Sequence, residues 1–460
     1  MKKIIFLAIV PLLVFQTISA QQVSPFKEGD RVVFLGNSIT DGGRYHSFIW
    51  LYYMTRFPDM PLTIMNAGIG GDTAYDMNKR LDGDVFSKRP TVLVATFGMN
   101  DSGYFEYNWD GQEDFGEKKY QECYGNFKQM EKRFQGLPNT RIVMMGSSPY
   151  DETAKIEGNT ALRGKNETMK RIVAFQKESA EKNGWEFFDL NQPMTEINQN
   201  GQQKDSTFTI CGNDRIHPDN DGHMIMAYLF LKEQGFTGKE VASIEIDGKK
   251  QQVINAANCE ISNVKKIKND ISFDYLAQSL PYPLDTTARG WGSKASQYQV
   301  IDIVPFMDEM NQEILKVTGL KGKYKLIIDG EEIGIWSAQD FATGINMAAL
   351  SNTPQYQQAL KIMHLNEMRW ETERIFREYA WVQFGFLQQK GLLFADNREA
   401  IEVIDANLDN LWLRGRRDMY SKMMFPEIRE ARQQEMDMLV KKIYEINSPV
   451  KRQITLHQVK

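Results

Sequence analysis

The chain has 460 residues, 42% hydrophobic and 25% charged, which is the balance of a soluble globular protein with room for two or three separately packed domains. A net charge of −5 with no basic tract excludes a nucleic-acid-binding reading, because a polyanionic backbone calls for clustered cations. Three dispersed cysteines, Cys123, Cys211 and Cys259, exclude a full disulfide framework and a metal-ligand pattern. At most one bridge is expected among them, and buried, unreactive thiols are the default.

The first twenty residues read as a signal peptide. Lys2-Lys3 precede an apolar run over 4–15, and Ile18-Ser19-Ala20 offers a small residue for cleavage before Gln21. The run is short for a bilayer span, and no cysteine at the cleavage point invites a lipid anchor. The expectation is an exported protein, periplasmic or extracellular, with no membrane insertion after cleavage.

From residue 31 to about 236, short apolar strands alternate with helix-like stretches. The strands are "RVVFLG", "LTIMNAG", "TVLVATFG", "RIVMMGSSP" and "WEFFDL". Helical character falls on 45–56, 73–81, 118–134 and 161–182. This alternation predicts a parallel sheet covered on both faces, with its active site beyond the carboxyl ends of the strands. After Gly238 the pattern becomes strand–turn–strand, in "VASIEIDGKKQQVI" and in "KYKLIIDGEEIGIW", where Asp329-Gly330 is a hairpin signal. A mainly β region, a small sandwich, is expected over 241–345. From 354 to 446 the chain is helical in character. Its stripe of Leu360, Met363, His364, Glu367 and Trp370 reads as packing rather than a binding box. The division expected is therefore 1–20 signal peptide, 21–238 catalytic α/β domain, 239–350 β-rich accessory domain and 351–460 C-terminal helical region.

Four separated stretches carry the chemistry. "GNSIT" follows the first strand, "NAGIGGDT" the second and "FGMND" the third, while "DRIHPDNDGH" precedes the last helix of the domain. In a parallel sheet these ends lie side by side. Ser38 offers a hydroxyl, a weak nucleophile that needs a base. Of the five histidines, His217 has a carboxylate, Asp214, three residues before it. That spacing lets the carboxylate hold one ring nitrogen while the other faces the serine. An oxyanion would need donors: the N–H of Ser38, a backbone N–H at Gly71 and the side-chain amide of Asn100 are the candidates.

These residues resemble the SGNH or GDSL-type esterases and lipases. Ser38 in "GNSIT" is similar to the nucleophile block, with Asn37 where many members carry Asp. Gly71 in "NAGIGGDT" and Asn100 in "GMND" match the second and third blocks, and Asp214-Arg215-Ile216-His217 matches the D-x-x-H of the last. The match covers 31–236. The resemblance implies a flavodoxin-like three-layer α/β/α fold and hydrolysis of esters without metal or other cofactor. Taken singly, Ser38 reads as a helix N-cap and the glycines as a turn; the four blocks in order overturn that reading. No Lys-Ser/Thr follows the glycines, so a phosphate-binding loop is excluded. His223 is expected to be a packed histidine.

The loop after the third block, "DSGYFEYNWDGQEDFGEKKYQECY", holds aromatics among acids and amides, which suits sugar rings. Asp101, Tyr104, Tyr107 and Trp109 are its candidate substrate-binding residues, with bonding to neighbouring backbone the first expectation for Asp101. The function expected is an exported serine esterase that removes small acyl groups, foremost acetyl, from a carbohydrate. A pectin-type methyl esterase with the same triad and a non-catalytic glycan-binding protein on the same scaffold remain open. The partner expected is a small ester or acylated glycan; the sequence leaves the oligomeric state undetermined.

Overall fold

The computed structural model describes residues 22–288 and 295–459. The signal-peptide segment lies outside the described residues. Five strands, β1 (Arg31–Gly36), β2 (Thr63–Gly68), β3 (Val92–Ala95), β4 (Arg141–Gly146) and β5 (Glu186–Asp189), pair in parallel in the order β2-β1-β3-β4-β5. That is the flavodoxin-like order, and β1 is its switch point, flanked by β2 and β3. The ends of β1, β2 and β3 are therefore neighbours, and they lead to Ser38, Gly71 and Asn100.

Around the sheet run α1 (Ser38–Asp41), α2 (Tyr45–Arg56), α3 (Ala74–Arg80), α4 (Phe115–Gln135), α5 (Lys165–Asn183), α6 (Asn191–Gln202) and α7 (Asn220–Glu233). Successive strand residues point to opposite faces. Val32, Phe34, Val94 and Val143 pack with Ile49 and Phe230 of α2 and α7. Val33, Leu35, Leu93 and Met144 pack with Met77, Phe127 and Ile172 of α3, α4 and α5. These strands are buried on both faces, which is why they read as continuous apolar runs. Helix α5 begins at Lys165 rather than 161, because Gly164 at φ 91° precedes its first turn. The polar helix α6, with few apolar residues, is not among the helices expected from the sequence.

The next region is a two-sheet β unit built from β6 (Ala242–Asp247), β7 (Gln252–Ala257), β8 (Cys259–Ile267), β9 (Asp270–Ala277), α8 (Phe306–Met310), β10 (Glu313–Thr318), β11 (Lys323–Ile328), β12 (Glu331–Ser337), α9 (Ala338–Thr343) and β13 (Ile345–Asn346). Asp329 and Gly330 both take positive φ, 52° and 87°, as a two-residue turn matched to strand twist requires. Then come α10 (Pro354–Ala380), α11 (Arg398–Asp405), α12 (Leu411–Met423), α13 (Pro426–Ile446) and a last strand, β14 (Arg452–Val459).

The sheets run β13-β10-β6-β7 and β12-β11-β14-β9-β8, and one apolar core fills the space between them. The strand β14 corrects the expected boundary at 351. The chain leaves the β unit through the helices and returns to insert β14 between β11 and β9. The C-terminal segment is therefore not helical throughout, and the β unit draws on residues outside 239–350. Its alternating Ile454 and Leu456 are fully buried, a signal that a search for helices passes over. The three cysteines are buried and free.

Candidate active site

The nucleophile block forms a single helical turn. Asn37, not Ser38, caps it: the Asn37 Oδ1 accepts from the N–H of Ile39 at 3.0 Å. The Ser38 hydroxyl is thereby left for another partner, and its Oγ lies 2.7 Å from His217 Nε2. His217 Nδ1 lies 2.5 Å from Asp214 Oδ2. The other carboxylate oxygen, Oδ1, accepts from the N–H groups of Ile216 (3.0 Å) and His217 (2.9 Å). The D-x-x-H spacing is thus an Asx turn in which one oxygen folds the loop and the other holds the ring. An ionised Asp214 can only accept, so Nδ1 carries the proton and Nε2 is left to accept from the serine. Partial burial pushes the Asp214 carboxyl up, but the hydrogen bonds and charge of His217 and its backbone outweigh that and hold it below the ordinary value.

Two backbone features make the loop fit. A Cβ on Gly212, which has φ 73°, would fall 2.1 Å from the carbonyl oxygen of His217, so only glycine lets the turn close. Arg215 sits at φ 69° with its side chain buried. Its guanidinium donates to the carbonyls of Asp151 (3.0 Å), Ala154 (2.7 Å) and Asn159 (2.7 Å), and its own carbonyl accepts from Asp151 N–H. This tethers the His217 loop to the segment after β4. The sequence carried no signal for it, because the D-x-x-H spacing specifies only Asp214 and His217, and the partners of Arg215 lie more than fifty positions away.

Gly71 turns at φ 90°, which a side chain disfavours, and no atom lies within 4 Å of where its Cβ would be. Its N–H has no acceptor among the described residues. The Asn100 amide donates to the carbonyl of Asp72 at 2.8 Å, and its Oδ1 accepts from the Tyr104 hydroxyl at 2.6 Å. One amide hydrogen of Asn100 remains for a further acceptor. Lys165, fully buried, donates to the carbonyls of Met99 (2.6 Å) and Gly103 (2.5 Å) and to the Ser102 hydroxyl (2.6 Å). Its ammonium lies 4.0 Å from the ring centre of Tyr104. Burial drives the Lys165 pKa down to about 7 against the pull of Asp101, Glu152 and Glu106. Lys165 and the Tyr104 contact were not legible in the sequence, since both bonds span loops.

The structure separates the remaining sequence candidates. Asp101 is buried, and its two oxygens accept from the N–H groups of Ala74 (2.8 Å) and Gly98 (2.9 Å). It braces the turn, and this bonding to neighbouring backbone is the first expectation for it. Tyr107 is engaged within the protein: its hydroxyl donates to the Ser102 carbonyl (2.7 Å), lies 2.9 Å from that of Thr168, and its ring packs edge-on against Phe115. Tyr104 serves Asn100. Trp109, 59% exposed, and Phe105, 71% exposed, present the most aromatic surface on this stretch. His223 is buried and stacked on Tyr45, and burial lowers its pKa to about 3. A cavity of about 890 Å³ between the α/β and β units does not border Ser38. No helix among the described residues is long and apolar enough to cross a membrane.

The model of the GDSL-like lipase/acylhydrolase family matches residues 34–225. A second model, described as the diltiazem deacetylase C-terminal helical domain, matches residues 360–448. The solved structure of a gut microbial diltiazem-metabolizing enzyme is 72% identical, with a TM-score of 0.94 over 95% of this chain and 100% of that one. The acetylxylan esterase of Geobacillus stearothermophilus is 27% identical over 227 residues, which is 45% of this chain and 95% of that protein. The chain therefore belongs to the GDSL-like lipase/acylhydrolase family, within the SGNH hydrolase superfamily, and is a carboxylic ester hydrolase.

Proposed function

We propose that the protein is an exported serine esterase that releases acetate from O-acetylated carbohydrates through Ser38, His217 and Asp214. The observation that carries this reading is the unbroken chain of contacts, 2.7 Å from Ser38 to His217 and 2.5 Å from His217 to Asp214. Ser38 Oγ attacks the ester carbonyl while His217 Nε2 takes its proton. The N–H groups of Ser38 and Gly71 and the Asn100 amide receive the oxyanion. His217 then protonates the leaving alcohol, and an acetyl-enzyme remains for water to clear. Asp214 keeps the ring in the required tautomer and stabilises the imidazolium. The exposed Trp109 and Phe105 give a sugar ring a surface to stack on. Export rests on the segment from Lys2 to Ala20, and N-terminal sequencing of secreted material beginning at Gln21 would support it.

Acetyl is the favoured acyl group because the chain is similar to an acetylxylan esterase over its α/β domain and to a diltiazem deacetylase C-terminal domain over its helical region. A second reading, an acetyl ester on a non-sugar alcohol such as diltiazem, is favoured by the 72% identity over nearly the whole chain. Acetate release from acetylated xylo-oligosaccharides and from diltiazem, measured side by side, decides between the two. Methanol release from methyl-esterified pectin in place of acetate would move the assignment to a methyl esterase. Ser38→Ala is expected to abolish turnover of every substrate; retained activity in that variant sinks the mechanism.

A further inference from the structure

No task has been assigned to the C-terminal helical region, yet its first helix lies along both loops beside Ser38. Arg374 of α10 donates to the carbonyl oxygen (3.0 Å) and a carboxylate oxygen (2.8 Å) of Asp41, the last residue of the nucleophile turn. Arg377, one turn on, donates to the carbonyl of Gly68 at 2.9 Å. At the end of α10 the backbone widens into a π turn over Trp381–Phe386. Such turns inside helices gather at functional places. There the indole Nε1 of Trp381 donates to the carbonyl of Gly70 at 3.3 Å.

Gly70 stands against the nucleophile: a Cβ built on it would lie 3.8 Å from Ser38 Cβ. A trans peptide is planar, so the carbonyl of Gly70 and the N–H of Gly71 point in opposite directions. Anchoring that carbonyl on the indole aims the Gly71 N–H away from the helical region. Two adjacent glycines supply no side-chain restraint of their own, and Gly71 is at φ 90° with open space about it. The indole is the side-chain contact that opposes rotation of this peptide. The ring is itself held from outside by the Arg416 guanidinium, 4.7 Å from its centre.

We infer that Trp381 is a positioning residue of the ester-hydrolysing site: through the Gly70 carbonyl it fixes the direction of the Gly71 N–H that receives the oxyanion. The helical region is then a working part of the site. This inference rests on the Ser38 mechanism proposed above.

The test is Trp381→Phe in the full-length protein, which keeps an aromatic ring and removes the donor. Turnover of p-nitrophenyl acetate and affinity for phenylboronic acid, a tetrahedral mimic formed on the serine, are the readouts. Loss of a whole oxyanion donor costs about 10²–10³ in kcat, so misaiming one is expected to lower kcat by about 10-fold to 100-fold with KM within about twofold. Boronate affinity is expected to fall in step. An unchanged kcat overturns the inference, as does a loss carried by KM with boronate affinity intact. Where Trp381→Phe folds poorly, Arg416→Gln loosens the indole from outside and is expected to weaken boronate binding; wild-type affinity in that variant overturns the inference too. Ser38→Ala in the same assay keeps the two readings apart. Activity surviving that change removes the serine mechanism itself, whereas its loss beside a wild-type Trp381→Phe removes only the role of Trp381.

Discussion

Replacing Arg377 by methionine tests how far the helical region holds the catalytic loops. The Arg377 side chain is 3% exposed and forms three hydrogen bonds, to Gly68 carbonyl at 2.9 Å and to the two oxygens of Asp84 at 2.8 and 2.7 Å. Methionine keeps much of the volume and none of the donors. Breaking a buried ion pair from one side costs about 3–5 kcal/mol, because the surviving charge loses its compensation. Here Arg80 and Lys88 remain within 2.7 Å of Asp84, which moves the expectation to the lower end, about 3 kcal/mol. Urea unfolding followed by tryptophan fluorescence measures it. Burial opposes the Asp84 charge, but Arg377, Lys88 and Arg80 hold its carboxyl well below the usual carboxylate range. A carboxylate depressed in the folded state stabilises above its unfolded pKa of about 4 and loses that contribution as pH falls through the folded value. The gap between wild type and Arg377→Met should therefore stay level above about pH 5 and narrow below about pH 4. A loss under about 1 kcal/mol at neutral pH, or a gap that widens in acid, would refute the reasoning.

Three further outcomes are expected. Tyr104→Phe removes the 2.6 Å bond to Asn100 Oδ1, and a net hydrogen bond of about 0.5–1.5 kcal/mol corresponds to a kcat loss of about twofold to tenfold in steady-state assays. Gly71→Ala meets no atom within 4 Å, so any loss must come from its backbone at φ 90°; about 1–2 kcal/mol of strain should lower the denaturation midpoint, and kcat should fall with it. Lys165 binds fewer protons folded than unfolded once pH passes its folded value of about 7, so wild-type stability should rise towards pH 10 while that of Lys165→Met stays flat over the same range of chemical denaturation curves.

What the sequence determined by itself is local. Val32 to Leu35 are apolar without alternation because both faces of the central sheet are covered, and that run is visible in one line of text. The ordered blocks around Ser38, Gly71, Asn100 and Asp214–His217 were legible because each sits where a strand or loop meets a helix and is contained within a few residues. The Asx turn that folds Asp214 onto His217 is likewise a matter of three consecutive positions.

Tertiary structure decided everything that joins distant segments. Tyr104 and Tyr107 looked alike in one loop, but one hydroxyl meets Asn100 and the other a backbone carbonyl, which depends on how the loop folds back. Glu373, Arg374 and Arg377 carried no sequence signal of a partner. They are drawn against the edge strand β2 and the segments near it, where Asn66 N–H, Asp41 and Asp84 satisfy them. Charge on a helix signals water only until another segment supplies its partners, and those partners lie some three hundred positions away. The strand β14 makes the same point in apolar form: a short alternating run became central to a sheet because β9 and β11 left a place between them.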